Sequence, residues 1–329
     1  MKRLALHALR WSGLFSLSRV LSANMARVLM YHNFSGATAE GNGLTDAAAR
    51  EQFNYLRRHF RVVPLSRIVE RLAAGQEPER YSVALTIDDG RRNFYQFLFP
   101  LLKEYGMPAT LFVVSSFIQG EDWVWTDKIL WLSEQNGRPE ELAHHQLAAV
   151  FQSLNCLRPE ARNQHIEALA ASAGISLPRQ APAKYAPCTW SELREMADSG
   201  LVEIGSHTAT HPILSSVTDE ESWQELTRSR AQIEKRIGKR VTSFCFPNGM
   251  PGDYRPSQVK QLADAGYNCA VVANFGLVGA GTDVYRMPRM GMERQLRMVE
   301  FSKYLDGIAY YQWKLRLGQL WSGETAGEI

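Results

Sequence analysis

The sequence predicts an α/β protein in which strands alternate with helices around a single barrel. Apolar, β-rich runs recur near residues 28, 62, 85, 112, 203, 244 and 270, and helical patterns separate them. One repeat, 83–87 then 93–105 then 109–114, reads as strand–helix–strand, which demands parallel pairing. About seven β/α units in one chain favour a barrel over an open sheet. The bulk properties agree. The chain has 329 residues, is 45% hydrophobic and 22% charged, and suits one large globular domain or two small ones. A net charge of +3 provides no broad basic field, so nucleic acid is not an expected partner.

The N-terminal segment, residues 1–25, carries scattered apolar residues interrupted by Arg10 and Arg19. It has neither the unbroken apolar run of a signal peptide nor the roughly 18 apolar residues of a membrane span. On a helix, Leu4, Ala8, Trp11, Phe15 and Leu21 share one face, with Arg3, His7 and Arg10 on another. Such a basic amphipathic helix either packs on the protein's own surface or rests loosely on the inner face of a membrane. A cytoplasmic location is therefore expected.

Residues 26–32 form the first core strand and end in Tyr31-His32. A small polar loop covers 35–45. A helix capped by Asp46 runs to 59, with Phe53, Leu56 and Phe60 at helical spacing. Residues 62–65 are a short strand or connector, and Ser66 caps the next helix, to 74. The strand 83–87 is apolar throughout, as a strand buried on both faces is, and it stops at Asp88-Asp89-Gly90. Two buried neighbouring acids cost several kcal/mol unless a cation or good donors share them. A helix over 93–105, bent or restarted at Pro100 and stopped by Gly106, leads to the strand 109–114.

Residues 119–187 break this rhythm. They lack strand signals, give helices at 128–134, 144–154 and 159–173, and end in a Pro-rich link from 178 to 187. This is a helical insertion on the barrel rim. Its Trp123 and Trp125 are read as anchors on the barrel in preference to a sugar platform. His144, His145 and His165 read as surface helix residues. Thr189 and Glu192 make a capping box. After it, the apolar run 201–204 leads to Ser206-His207, and His211 follows four residues later. A helix over 222–237, a strand ending in Pro247-Asn248-Gly249, a helix over 257–266 and a strand over 267–272 complete the alternation. The terminal segment 301–329 starts with a helix, to 317, whose Tyr304, Leu305, Ile308, Tyr311 and Leu315 face inward. Cys156, Cys188, Cys245 and Cys269 are widely spaced, without a Cys-x-x-Cys pair; a reducing compartment fits.

The chemistry collects at strand ends. One carboxylate and two imidazoles form a common three-ligand set for a catalytic zinc, with a position open for water. The stretches Thr86-Ile87-Asp88-Asp89-Gly90 and His207-Thr208-Ala209-Thr210-His211-Pro212 resemble the paired motifs of the polysaccharide deacetylases of the NodB-homology type. Residues 244–249 resemble the family's third motif, with Cys245 where some members carry arginine, and 286–289 resemble its Arg-x-Pro-Arg run. The resemblance spans about 30–117 and 189–292. It implies a distorted (β/α)7 barrel over about 26–300, and a metal-dependent hydrolase that removes N-acetyl groups from an amino-sugar polysaccharide or glycan precursor. The implied ligands are Asp89, His207 and His211, for Zn2+ or else Co2+, Mn2+ or Ni2+. Asp88 is the implied base and the backbone N–H of Asn248 the oxyanion donor. Arg289 is assigned to hold Asp88 in place of the missing third-motif arginine. The family's usual acid, a histidine near the C-terminus, is absent, because no histidine follows His211. His32 is assigned to that role, since first and last strands adjoin in a barrel. The residues leave alternatives open: a glycoside hydrolase using Asp88, an amide hydrolase on a non-sugar or formylated substrate, or a catalytically impaired glycan-binding barrel.

Overall fold

Parallel pairing governs the architecture of the computed structural model, which describes residues 12–36, 43–143, 145–292 and 296–321. In chain order the strands are β1 (Arg27–Tyr31), β2 (Arg61–Val62), β3 (Ser82–Ile87), β4 (Ala109–Val113), β5 (Val202–Ser206), β6 (Ser243–Cys245), β7 (Cys269–Val271) and β8 (Met290–Gly291). Seven of them follow the spatial order β8-β1-β3-β4-β5-β6-β7 and curl into a half-barrel with helices outside; β2 hangs on β3. Met287 bridges Val271 of β7, while Met290 pairs with Leu29 of β1, so the 287–291 stretch ties the two edges together. β3, at the centre, is buried at all six positions, as expected of a strand covered on both faces.

The run near residue 62 is not one of these seven staves. β2 pairs only with the first residues of β3, Ser82 and Val83, whereas β4 pairs further along, at Thr86 and Ile87. The seventh stave is β8, whose two residues are too few to carry a readable period. A second small parallel pair joins Phe34–Ser35 to Leu44–Thr45, inside what read as a loop.

Most helix boundaries follow local chemistry. Thr189 and Thr218 each close a full capping box, with Glu192 and Glu221. The helix Asp46–His59 is capped by Thr45 and not by Asp46, and Leu65–Ala73 follows Pro64, so Ser66 is not its cap. Ahead of Pro100 the chain takes a π-helical turn, Phe94–Leu98, before an α-helix restarts at Phe99. The missing proline N–H is the local reason for the wider turn.

The insertion follows the short helix Ser115–Gln119 and carries α-helices Trp125–Ser133, Leu147–Asn155 and Pro159–Ser172. Trp125, Ile129, Leu132, Leu154, Ile166 and Leu169 give it a small core of its own. Trp123 packs with Val114, Phe117, Val124 and Tyr185 at the seam with the barrel. Both tryptophans are buried anchors. His145 and His165 are exposed, and His144 lies outside the described residues.

The two ends of the described chain lean on each other. Arg27 is fully buried and donates to the carbonyls of Leu305 (2.9 Å) and Ser22 (2.8 Å), while Asp306 takes hydrogen bonds from Arg19 (3.1 Å) and Tyr55 (2.6 Å). The terminal helix is really two, Met298–Leu305 and Ile308–Trp321, broken at Gly307 with φ 87°. Leu315 consequently faces solvent, 70% exposed, and not the core. At the other end Phe15 is buried on helix Leu14–Leu21, but Leu21 is 67% exposed; Leu4, Ala8 and Trp11 lie outside the described residues. No helix among the described residues is long and apolar enough to cross a membrane. All four cysteines are free thiols.

Gly205, on β5 just ahead of the histidine loop, is a tight point. A Cβ there would sit 2.5 Å from the Phe112 ring and 2.7 Å from Ser243 Oγ. Gly205→Ala is expected to cost about 1–3 kcal/mol through overpacking. Chemical denaturation reads the loss, and an unchanged midpoint would show that β4, β5 and β6 pack more loosely than this contact implies.

Candidate active site

The C-terminal ends of β1, β3, β5 and β6 open on one rim. They deliver His32, Asp88-Asp89, His207 and the turn at Asn248 respectively. The ladder continues one residue past two strands, with Asp88 N–H donating to Tyr31 O (3.0 Å) and His207 N–H to Val113 O (2.9 Å). Beyond these points the backbone turns sharply. Asp89, Thr208, His211 and Asn248 all lie in the left-handed region, at φ 72°, 68°, 61° and 58°. Non-glycine residues adopt this region at a cost and cluster there at functional sites. Gly90, at φ 83°, has no room for a Cβ, which would fall 3.0 Å from Val113 and Ile118.

Asp88 is buried in a fork of donors. Arg289 Nη1 donates to one of its oxygens at 2.7 Å and Nη2 to the other at 2.8 Å. Arg289 also reaches Val272 O (3.2 Å), Thr86 Oγ1 (3.2 Å) and Cys245 Sγ (3.1 Å), so it spans from β3 to β6. Cys245 therefore stands beside the guanidinium that occupies the space next to Asp88. Burial alone pushes the Asp88 carboxyl up, but Arg289 outweighs it and the net shift is down. His32 Nε2 lies 3.7 Å from Asp88 Oδ2.

Asp89 points to different partners. Its Oδ1 is 3.5 Å from His207 Nε2 and 3.5 Å from His211 Nε2, while Oδ2 is 2.9 Å from Arg91 Nη2. His207 Nδ1 lies 2.7 Å from Cys245 O, a backbone acceptor, so that nitrogen carries the proton and Nε2 keeps its lone pair toward Asp89. Burial pushes both imidazoles down, His211 to about 3. Two imidazoles that burial keeps neutral thus face one carboxylate oxygen. Their 3.5 Å spacings are too long for hydrogen bonds but match the edge, about 3.4 Å, of a tetrahedron of zinc-ligand bonds. The donor set fits a divalent metal. Glu225 steadies the loop between the histidines, taking hydrogen bonds from the Ala209 and Thr210 N–H groups, both 2.8 Å.

The partners of Arg91 have no signal in the local sequence. This arginine is buried and donates to Asp127 at 2.6 and 2.9 Å and to Asn33 at 3.0 Å. Asp127, from the insertion helix Trp125–Ser133, is fully buried. An Asp127–Arg91–Asp89 chain thus supports the carboxylate that faces the histidines. Asn248 is placed on the same rim, its side chain donating to Asp253 at 2.6 Å. That contact fixes the turn.

Comparison with known proteins follows the same lines. The sequence profile of the polysaccharide deacetylase family matches residues 75–270. The chain is 20% identical over 281 residues to YxkH of Bacillus subtilis (strain 168), covering 85% of this chain and 76% of that protein. It is 26% identical over 183 residues to the poly-β-1,6-N-acetyl-D-glucosamine N-deacetylase of Escherichia coli (strain K12), of which it spans 20%. Among solved structures, a de-N-acetylase from Aggregatibacter actinomycetemcomitans superposes with a TM-score of 0.58 at 20% identity, covering 85% of this chain and 99% of that one. The Streptococcus pyogenes deacetylase PplD gives 0.57 at 17% identity, covering 82% and 92%. At such identities the structural likeness establishes the fold.

Two expectations come from this geometry. Asp127→Asn weakens the support of Arg91 and hence of Asp89, so metal affinity is expected to fall about 10–100-fold; competition with a chelator measures it, and unchanged affinity would make Asp127 a bystander. The second is a pH effect. His211 stays neutral in the fold down to about pH 3, whereas the unfolded chain takes up its proton near pH 6.5. The unfolded state binds more protons in that window, so stability of the metal-free protein falls as pH drops through it, by up to ~1.4 kcal/mol per unit from this group. Denaturation series at pH 5 and 7 should show a shallower fall for His211→Gln, and equal slopes would exclude this residue as the source.

Proposed function

The chain belongs to the polysaccharide deacetylase family, and from that premise we propose that it removes N-acetyl groups from an amino-sugar-containing glycan with the help of a divalent metal. The single observation that carries this reading is the division of labour at the end of β3. Asp89 faces two neutral imidazoles, and Asp88 beside it is held ionised by Arg289. A two-carboxylate glycoside hydrolase needs no such histidine pair. Asp89, His207 and His211 are the residues that would hold the ion, zinc being the first candidate.

When bound, that ion supplies a Lewis acid, which polarises the acetyl carbonyl and lowers the pKa of water. The protein's own groups do the rest. Asp88 accepts the proton of the attacking water as the new C–O bond forms. Arg289 keeps the carboxylate ionised and its free lone pairs aimed at the rim. The backbone N–H of Asn248 faces the developing oxyanion. His32 gives a proton to the amine nitrogen as the C–N bond breaks, releasing acetate and the free amino sugar. Asp88 Oδ2 and His32 Nε2 are 3.7 Å apart, so the proton taken by one is near the group that must regain it.

The roles of Asp88 and His32 separate by choice of leaving group. An activated acetate ester needs no protonated leaving group. His32→Ala is therefore expected to lose about 10²–10⁴-fold on the N-acetyl substrate and far less on the ester. Asp88→Asn should lose a similar factor on both, because both need the activated water. Product formation followed by mass spectrometry and by ester absorbance gives the two ratios. Equal losses on ester and amide for His32→Ala would remove it as the acid.

A further inference from the structure

Arg162 has no place in the scheme above, and it is poorly provided for. It lies on the insertion helix Pro159–Ser172 and is only 2% exposed, yet its Nε and Nη1 have no hydrogen-bond partner among the described residues. Its guanidinium stacks over Trp125, 4.6 Å from the ring centroid, and the buried Trp125 Nε1 is likewise unpartnered. Glu160 is the one carboxylate that offsets its charge among the described residues, and burial pushes the guanidinium down to about 10. A buried cation with no carboxylate bonded to its free nitrogens is costly, and a ring face offsets only part of that cost.

The surroundings show where a counter-ion belongs. Arg162, Trp125, Asn163, Ser116 and Thr210 line a cavity of about 250 Å³. That is large against the ~30 Å³ share of one water. Thr210 belongs to the loop between His207 and His211, and the charge of Arg162 is felt at His211, so the cavity adjoins the proposed metal site. It also borders a second cavity of about 540 Å³ and shares Glu121 and Asp122 with it. Those acids are already engaged, Glu121 with Arg228 at 2.8 Å and Asp122 with Lys128 at 2.7 Å. Neither supplies what Arg162 lacks.

We propose that this cavity is a subsite for an anionic group on the glycan, and that Arg162 is the residue that recognises it. The ligand chemistry is an oxyanion, carboxylate or phosphate, borne by the sugar beside the one that loses its acetyl group. The planar fork of a guanidinium matches such a group, and the stack on Trp125 holds the fork in place in advance. The proposal rests on the deacetylase reading for the identity of the glycan, but not for the binding itself.

Calorimetric titration of the metal-loaded full chain with glucuronic acid against glucose, and with N-acetylglucosamine 1-phosphate against N-acetylglucosamine, tests it. At least one charged sugar is expected to bind about tenfold or more tightly than its neutral counterpart, and which pair shows the gap tells carboxylate from phosphate. Arg162→Gln should close that gap, and Arg162→Lys should retain part of it. Equal affinities for charged and neutral sugars in the unmodified protein would overturn the subsite, as would a gap that persists in Arg162→Gln. The comparison in the unmodified protein decides even where a variant does not fold. A protein that hydrolyses no N-acetylated sugar yet shows the Arg162-dependent gap would overturn the deacetylase reading and leave the subsite standing.

Discussion

Two adjacent carboxylates buried at the end of one strand must each find a cation of their own, and this requirement shapes the molecule around β3. The left-handed turn at Asp89, φ 72°, lets the side chains engage separate partners. Asp88 meets Arg289, and Asp89 meets Arg91 together with the histidines. Leaving either carboxylate buried without its partner would cost about 3–5 kcal/mol. The two least regular parts of the fold supply these partners. The 287–291 stretch, which ties β7 to β1, carries Arg289 into the barrel. The helical insertion carries Asp127, which fixes the far side of Arg91. Barrel closure and insertion docking are thus both coupled to the charge balance of the same two residues.

The same balance is visible at Cys245, at the end of β6. Cys245 is buried, with its thiol 3.1 Å from Arg289 Nη2 and 3.5 Å from Asp88 Oδ2. A small side chain there leaves volume for a guanidinium that arrives from another strand. Burial and the nearby Asp88 push the thiol well above its ordinary range, although Arg289 pulls the other way, so it remains a neutral neighbour and not a second anion. Arg289, arriving on the 287–291 stretch, supplies the positive charge beside Asp88.

The parts of the site legible in the sequence are those written locally. Asp88-Asp89 and His207 follow apolar runs at strand ends, His211 follows His207 by four residues, and strand ends of this kind converge on one rim. His32 could be placed by the same argument, because β1 ends there. Arg289 was readable from its Arg-x-Pro-Arg setting. Asp127 was not, since a single acid in the first turn of a helix is ordinary, and only tertiary packing brings it to Arg91, 36 positions away. β8 was missed because two residues carry no period. Leu315 was expected inward and is exposed, because the left-handed Gly307 breaks the terminal helix and a face extended across the break no longer holds its direction. Leu21 was grouped with Phe15 on one face, but six helical positions turn the side chain by about 120°, and it is exposed. Arg162 was invisible for a different reason. Its significance lies in what it fails to touch.

The division of roles between Asp88 and Asp89 is tested most directly by metal content and turnover measured together in Asp88→Asn and Asp89→Asn. Asp88→Asn should retain about one divalent ion per chain and lose turnover of the N-acetylated substrate, whereas Asp89→Asn should lose the ion along with turnover. Loss of the ion from both proteins, or its retention in both, would contradict a site in which one carboxylate holds the metal and its neighbour takes the proton.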